Sequence, residues 1–211
     1  MANNNHTPKH WIEIAKKINS IAQTGLTFTK DKFDKERYLE LQELSLTIMN
    51  NITEIDTNKL DFVFNRDIGY QTPKVGIRAV VFRDDKILLV KEKMDGRWSL
   101  PGGYADTGML PSEIAINEVK EESGFDVKPT RILGLIDYNK YQDKPFPFDV
   151  YQLFMECEIT GGQAQTGIET IDVGFFKISE LPKLSERRVT KEQILKMYEL
   201  YKDKELKPIF D

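Results

Sequence analysis

Residues 102–125 read GGYADTGMLPSEIAINEVKEESGF. Pro111 has the fixed φ and the missing N–H that suit the first turn of a helix. Gly124 suits the position just past a helix end, where the chain turns left-handed. The spacing between them predicts a helix over Pro111–Ser123, with Ile114 and Ala115 on its apolar side. At about 100° per residue, Glu118, Glu121 and Glu122 fall within one ~100° arc. Each like-charged pair opposes an exposed helix by roughly 0.2–0.5 kcal/mol. Glu121 and Glu122 also sit near the negative end of the helix dipole. Such a cluster is either a solvated acidic face or a ligand set for a cation.

The residues in front of the helix favour the second reading. Gly102 and Gly103 let backbone approach a ligand closely, and the Gly102 carbonyl can itself face a metal. Carboxylate oxygens on a rigid helix are hard donors that suit Mg²⁺ or Mn²⁺, ions that keep several waters and share ligands with substrate phosphates. A glycine loop followed by an acidic helix is what a site for pyrophosphate and metal requires.

Outward from this stretch, strand patterns flank the predicted helix. Val75, Ile77, Ala79 and Val81 alternate with Arg78, Val80 and Phe82, which predicts a strand over 75–82. Asp84-Asp85 turns the chain into a second strand over 87–92. Further strands are expected near 127–138, 150–159 and 173–177. A closing helix spans about 190–202, with Ile194, Met197, Tyr198 and Tyr201 as its stripe. This order predicts an α/β fold of the α+β type, a mixed sheet covered by helices.

The N-terminal part reads differently. Trp11, Ile14, Ala15, Ile18, Ile21 and Ala22 recur at helical spacing over 10–24, with Gly25 as the expected stop. A second helix is expected from Asp34, as its cap, to Ile52. Its stripe is Tyr38, Leu41, Leu44, Ile48 and Ile52. Two such helices cannot bury both apolar surfaces alone. They pack on the rest of the chain or on a second subunit. Gly69 and Pro73 flank a linker, which divides the chain into a helical domain, 1–69, and a larger domain, 70–211.

Composition narrows the partners. The 211 residues carry a formal net charge of −4, so no overall field attracts a nucleic-acid backbone. No apolar run approaches the ~18 residues of a membrane span, and the N-terminus lacks a signal-peptide pattern. The one cysteine, Cys157, cannot form an intrachain disulfide, which fits a reducing cytoplasm. It reads as a small core residue. Two histidines, His6 and His10, give no support to a His-based metal site or a Ser-His-Asp triad.

The motif resembles the Nudix box. Gly103 opens it, and Glu118, Val119, Glu121, Glu122, Gly124 and Phe125 follow in unbroken register. Two positions depart from the pattern: Met109 stands for a Glu and Asn117 for an Arg. With GLTFTKDKFDKERY, PKVGIRAVVF and IETIDVGFF included, the chain is similar to bacterial Nudix hydrolases acting on ADP-ribose and CDP-choline type substrates. The loop NKYQDKPFPFD at 139–149 lacks the His-containing stretch of that group. The resemblance implies a Nudix α/β/α sandwich behind a two-helix domain and a homodimer through that domain; charge and hydropathy, as above, predict no nucleic-acid or membrane partner. It also implies metal-dependent cleavage of a nucleoside diphosphate linked to another group.

The implied site follows from the same residues. Glu118, Glu121 and Glu122 bind the metal with the Gly102 carbonyl. Glu169, in Gly167-Ile168-Glu169-Thr170, is the candidate general base, with Glu118 as the alternative. Arg78 holds a substrate phosphate or base, or else pairs with a structural carboxylate. Trp98 and Tyr104, which flank the glycine loop and Gly103, stack on a base or else pack in the core or at the rim. Two other readings keep the fold: a nucleoside triphosphate pool-cleaning enzyme, and a weakly catalytic domain that senses a ligand.

Overall fold

The computed structural model describes residues 7–52, 69–142 and 146–211. The chain divides into two units: Met1–Pro73 with Asp143–Asp149, and Lys74–Gln142 with Val150–Asp211.

Among the described residues the first unit contains two helices, α1 (Pro8–Phe28) and α2 (Lys32–Ile52). Thr7 caps α1, its hydroxyl accepting the His10 N–H at 3.3 Å. The expected stop at Gly25 is not one. The helix runs on to Phe28, and the Thr29 N–H closes it on the Gly25 carbonyl at 2.8 Å. Gly25 is there for room: a Cβ would lie 2.3 Å from the Tyr38 ring on α2. The cap of α2 is Asp31 rather than Asp34. Asp31 Oδ1 accepts the Asp34 N–H at 2.9 Å, and Asp34 occupies the first turn.

The buried seam between α1 and α2 is narrower and more polar than the expected stripes. Ile12, Ala15, Asn19 and Ala22 are buried on α1, and Ser45 and Met49 on α2. The Ser45 hydroxyl donates to the Ala15 carbonyl at 2.7 Å. Small residues set this close approach, so bulkier members of the stripes turn outward. Trp11, Ile21 and Leu44 are exposed, as are Phe28, Phe33 and Leu39.

The second unit is a seven-stranded mixed sheet with a helix on each face. Its strands are β1 (Lys74–Arg83), β2 (Lys86–Glu92), β3 (Trp98–Ser99), β4 (Phe125–Asp137), β5 (Val150–Gly162), β6 (Thr170–Lys177) and β7 (Ile209–Phe210). Their order is β3-β2-β1-β5-β4-β7, with β6 paired along β2. The β1–β5 and β4–β7 pairs are parallel and the others antiparallel. Asp84 and Asp85 both have positive φ, 50° and 58°, a turn whose twist matches the hairpin it closes. The expected strands are all present, each beginning at or before the expected residue, and the one expected near 127–138 ends at Asp137. The two-residue strands β3 and β7 and the 3₁₀ turns at Tyr138–Tyr141 and Ile178–Glu180 were beyond periodicity to show.

Alternation along β1 sorts the two core layers. Ile77, Ala79 and Val81 pack with Ile114, Ala115 and Val119 of α3 (Pro111–Ser123). Val80 and Phe82 face the other way, toward Ile194, Met197 and Leu200 of α4 (Lys191–Lys202). Thr190 and Gln193 close the start of α4 by a reciprocal capping box, at 3.2 and 2.9 Å. Cys157 is buried in the α3-side layer, and burial pushes its thiol up to about 12. Among the described residues no helix is long and apolar enough to cross a membrane.

Leu89 is fully buried in the α4-side layer. Leu89→Ala is expected to lower unfolding stability by about 2–5 kcal/mol, through lost transfer energy and the cavity left behind. Urea denaturation of both proteins checks this.

Candidate active site

α3 begins where the sequence placed it. Pro111 opens the helix, and the Glu113 carboxylate accepts the Leu110 N–H at 2.9 Å, satisfying one amide at the start. Its end is tied on several sides. Gly124 adopts φ 78°, and its N–H donates to the Lys120 carbonyl at 3.0 Å. The Gln165 N–H reaches the Ser123 carbonyl at 2.9 Å, and the Thr170 hydroxyl reaches the Glu122 carbonyl at 2.8 Å. Gly167 lies so close that a Cβ would fall 2.0 Å from the Glu121 carbonyl oxygen. The loop carrying Glu169 is thereby fastened to the last turn of α3.

The glycine loop is fastened to the same helix and to β1. The Gly102 N–H donates to Glu122 Oε2 at 2.9 Å. The Gly102 carbonyl accepts from Arg78 Nη1, which also lies 3.4 Å from the Leu100 carbonyl. That oxygen was expected to face a metal; here a buried guanidinium engages it, because the cation needs an acceptor. A Cβ on Gly102, at φ 147°, would lie 2.0 Å from the Ile77 carbonyl oxygen. One on Gly103 would lie 2.1 Å from Glu118 Oε1. Both glycines are therefore steric requirements of the site.

Glu118, Glu121, Glu122 and Glu169 line one cavity of about 700 Å³, together with Gly124 and Thr166. Burial pushes Glu122 up to about 8, and the negative charge of Glu118 adds to this against the Gly102 N–H. Glu118 is raised as well, by burial and by the charges of Glu121, Glu169 and Asp106, with Arg78 opposing. Among the described residues no group of three His, Cys, Asp or Glu side chains is close-set enough to hold a metal ion as it stands. The donor chemistry nonetheless fits a divalent cation: four carboxylates border one cavity, and two resist ionisation because of burial and their neighbours. Mg²⁺ and Mn²⁺ routinely complete their shells with water and substrate oxygens.

The remaining expected residues divide. Arg78 sits with the cluster. Burial lowers its pKa, while Glu122, Glu92 and Glu118 favour its charged form; its Nε has no partner among the described residues. Tyr104 is about half exposed (54%) and pairs by backbone with Gly76; the partial burial of its ring pushes the phenol upward. Trp98 is half-buried and packs edge-on against Phe176, with 4.6 Å between ring centroids, as part of the α4-side layer. The structure thus shows its ring in core packing. Met109 packs on the α3-side layer and Asn117 is exposed.

Sequence reasoning missed Glu92, Ser99, Asp95 and Arg188. Glu92 is buried, with Ser99 Oγ 2.6 Å and Arg188 Nε 3.0 Å from its Oε1. Arg188 also faces Asp95, which accepts the Ser185 hydroxyl at 2.7 Å. Arg188 lies in an irregular segment with no period to read. The one available signal was Glu92 itself, an acid closing the apolar run Ile87–Val90.

Residues 72–198 match the sequence family described as a NUDIX domain. The chain belongs to the Nudix family. Residues 9–64 match a second family, described as a UDP-X-like, N-terminal oligomerisation domain. This Nudix chain is 43% identical over 201 residues to the "Putative ADP-ribose pyrophosphatase YjhB" of Bacillus subtilis (strain 168), covering 95% of the chain and 97% of that protein. A crystal structure of a UDP-X diphosphatase is similar at 34% identity and TM-score 0.63, over 97% of this chain and 99% of that one. A Streptococcus suis ADP-ribose pyrophosphatase is similar at 38% identity and TM-score 0.61, over 66% of this chain and all of that one. The two N-terminal helices followed by a mixed Nudix sheet agree with the expected fold.

Gly102→Ala is expected to lose both stability and activity, because its Cβ meets backbone. Gly103→Ala meets a side chain instead and displaces Glu118. It should leave the melting temperature within a few degrees while turnover falls. Thermal melts beside steady-state assays of the two variants separate these outcomes.

Proposed function

We propose that this Nudix pyrophosphohydrolase cleaves the pyrophosphate bond of a nucleoside diphosphate linked to another group, with ADP-ribose the leading candidate and CDP-choline the second. The observation that carries this reading is the meeting of Glu118, Glu121, Glu122 and Glu169 around one cavity beside the glycine loop. The whole-length likeness to proteins named for ADP-ribose and UDP-X hydrolysis supports it. Glu118, Glu121 and Glu122 would hold Mg²⁺ or Mn²⁺. When bound, such an ion neutralises charge on the two phosphates and lowers the pKa of a water.

The chain's own groups do the remaining work. Glu169, which lines the cavity, is our candidate for the base that takes a proton from the attacking water, with Glu118 as the alternative. The water oxygen bonds to one phosphorus as the bridging P–O bond breaks. With ADP-ribose the products are AMP and ribose 5-phosphate; with CDP-choline, CMP and phosphocholine. Arg78 holds the glycine loop in place and sets a positive charge beside Glu118 and Glu122. Tyr104, partly exposed next to Gly103, is our candidate to stack on a base or sugar. A single buried cysteine suits the cytoplasm.

The exposed apolar residues of α1 and α2, in a segment matching an oligomerisation domain, support a homodimer. Light scattering should give twice the 24.5 kDa chain mass. Leu39→Lys with Leu44→Lys should shift it toward one chain mass.

The purified protein is to be incubated with Mg²⁺ or Mn²⁺ and a panel of ADP-ribose, CDP-choline, sugar nucleotides, NADH and deoxynucleoside triphosphates. The expected result is metal-dependent release of a nucleoside monophosphate from a diphosphate-linked compound. EDTA should abolish it, and Glu122→Gln should reduce kcat on the order of 100-fold or more. Glu169→Gln should reduce kcat roughly 100-fold or more with a smaller change in KM, as for a general base. Cleavage of triphosphates alone would move the assignment to pool cleaning. Metal-dependent binding of ADP-ribose without turnover would move it to sensing.

A further inference from the structure

Glu92 ends β2 with only 2% of its surface exposed. A carboxylate so buried is tolerated only with close partners. The Ser99 hydroxyl donates to its Oε1 at 2.6 Å, and Arg188 Nε lies 3.0 Å from the same oxygen. The charge of Glu92 also favours the charged form of Arg78.

Each partner leads to a different part of the site. Ser99 runs through Leu100 and Pro101 into Gly102. The Pro101 and Gly103 carbonyls accept from Ala79 and Ile77 of β1, at 2.9 and 2.8 Å. The residue after Glu92, Lys93, donates its N–H to the Glu169 carbonyl at 2.8 Å. Across the ladder Glu92 faces Thr170, whose hydroxyl holds the Glu122 carbonyl. The ladder register shifts between Lys91 and Glu92, an irregularity at the residue whose carboxylate is buried. The Arg188 segment is laid alongside by the Ser185 N–H, which donates to the Trp98 carbonyl at 2.7 Å.

We propose that Glu92 is a positioning residue for the hydrolysis: held by Ser99 and Arg188 beside the Lys93–Glu169 link, its buried carboxylate fixes the glycine loop and the Glu169 loop against the acidic face of α3. It touches no reacting atom. It acts by holding two loops that do, and small misplacements of such groups are costly in rate. The proposal deepens the hydrolase reading and rests on it for the reaction, while the loop-ordering half stands on geometry alone.

Glu92→Gln keeps the side-chain size and removes the charge that faces Arg188 and Arg78. With fold verified by circular dichroism, kcat should fall on the order of 10- to 100-fold, with KM within about 3-fold of wild type. Glu92→Asp, which keeps the charge, should recover part of kcat. Ser99→Ala should lower kcat less, and its effect should not add to that of Glu92→Gln. Hydrogen–deuterium exchange, read without substrate, should quicken in peptides spanning 99–105 and 165–170 and stay unchanged in β5. Unchanged kcat with unchanged loop exchange in the folded variant overturns the proposal. So does faster exchange throughout β5 with kcat intact, the signature of a purely structural role. If wild-type protein hydrolyses nothing in the panel, the hydrolase reading fails. Loop exchange then decides the positioning on its own: quickening supports it, and no change removes it.

Discussion

Gly102 donates its N–H to Glu122 on α3 and offers its carbonyl to Arg78 on β1. These two contacts join the acidic helix to the sheet through a loop with no side chain in the way. A Cβ at Gly102 would strike the Ile77 carbonyl, and one at Gly103 would strike Glu118. The site therefore depends on bare backbone, which lets strand, loop and helix approach to hydrogen-bond distance at the place where negative charge gathers. Without that approach Glu122 would lose its amide donor and keep its repulsive neighbours.

The cluster is costly before any ligand arrives. Burial and mutual repulsion hold Glu118 and Glu122 above the usual carboxylate range, and Glu122 also lies at the helix end where the dipole disfavours negative charge. The structure offsets this by tying that end down. Gly124, Gln165 and Thr170 satisfy three of its carbonyls. The same ties hold the Glu169 loop, so one set of backbone bonds both stabilises α3 and shapes the cavity. Stability and function are coupled here through the helix terminus rather than through the apolar core.

The elements with a strong period or a specific stop were legible in the sequence. α3 has Pro111, Gly124 and an apolar side, and its predicted bounds match those found. The alternation of β1 sorted Ile77, Ala79 and Val81 from Val80 and Phe82 onto the two faces. The acidic face and its glycine loop were legible for the same reason, since both lie on one continuous stretch. Relations between distant segments were not. The role of Gly25 depends on where Tyr38 comes to rest, and the cap of α2 was read three residues late because two aspartates compete for it. The Glu92–Ser99–Arg188 contact joins a strand end, a two-residue strand and an irregular segment, and no local pattern encodes that meeting. Trp98 read either as a stacking platform or as packing, and the partner that takes its ring, Phe176, lies too far along the chain for the sequence to name.

Cys157 lies in the α3-side layer with its thiol pushed up to about 12, and it is the only cysteine in the chain. A thiol that stays protonated and shielded does not compete for alkylating or maleimide reagents. The native protein is thus chemically silent toward such labels. A cysteine introduced at an exposed rim position such as Ile168 would carry all the reactivity, so a spectroscopic probe could be set at the cavity mouth without first stripping the core.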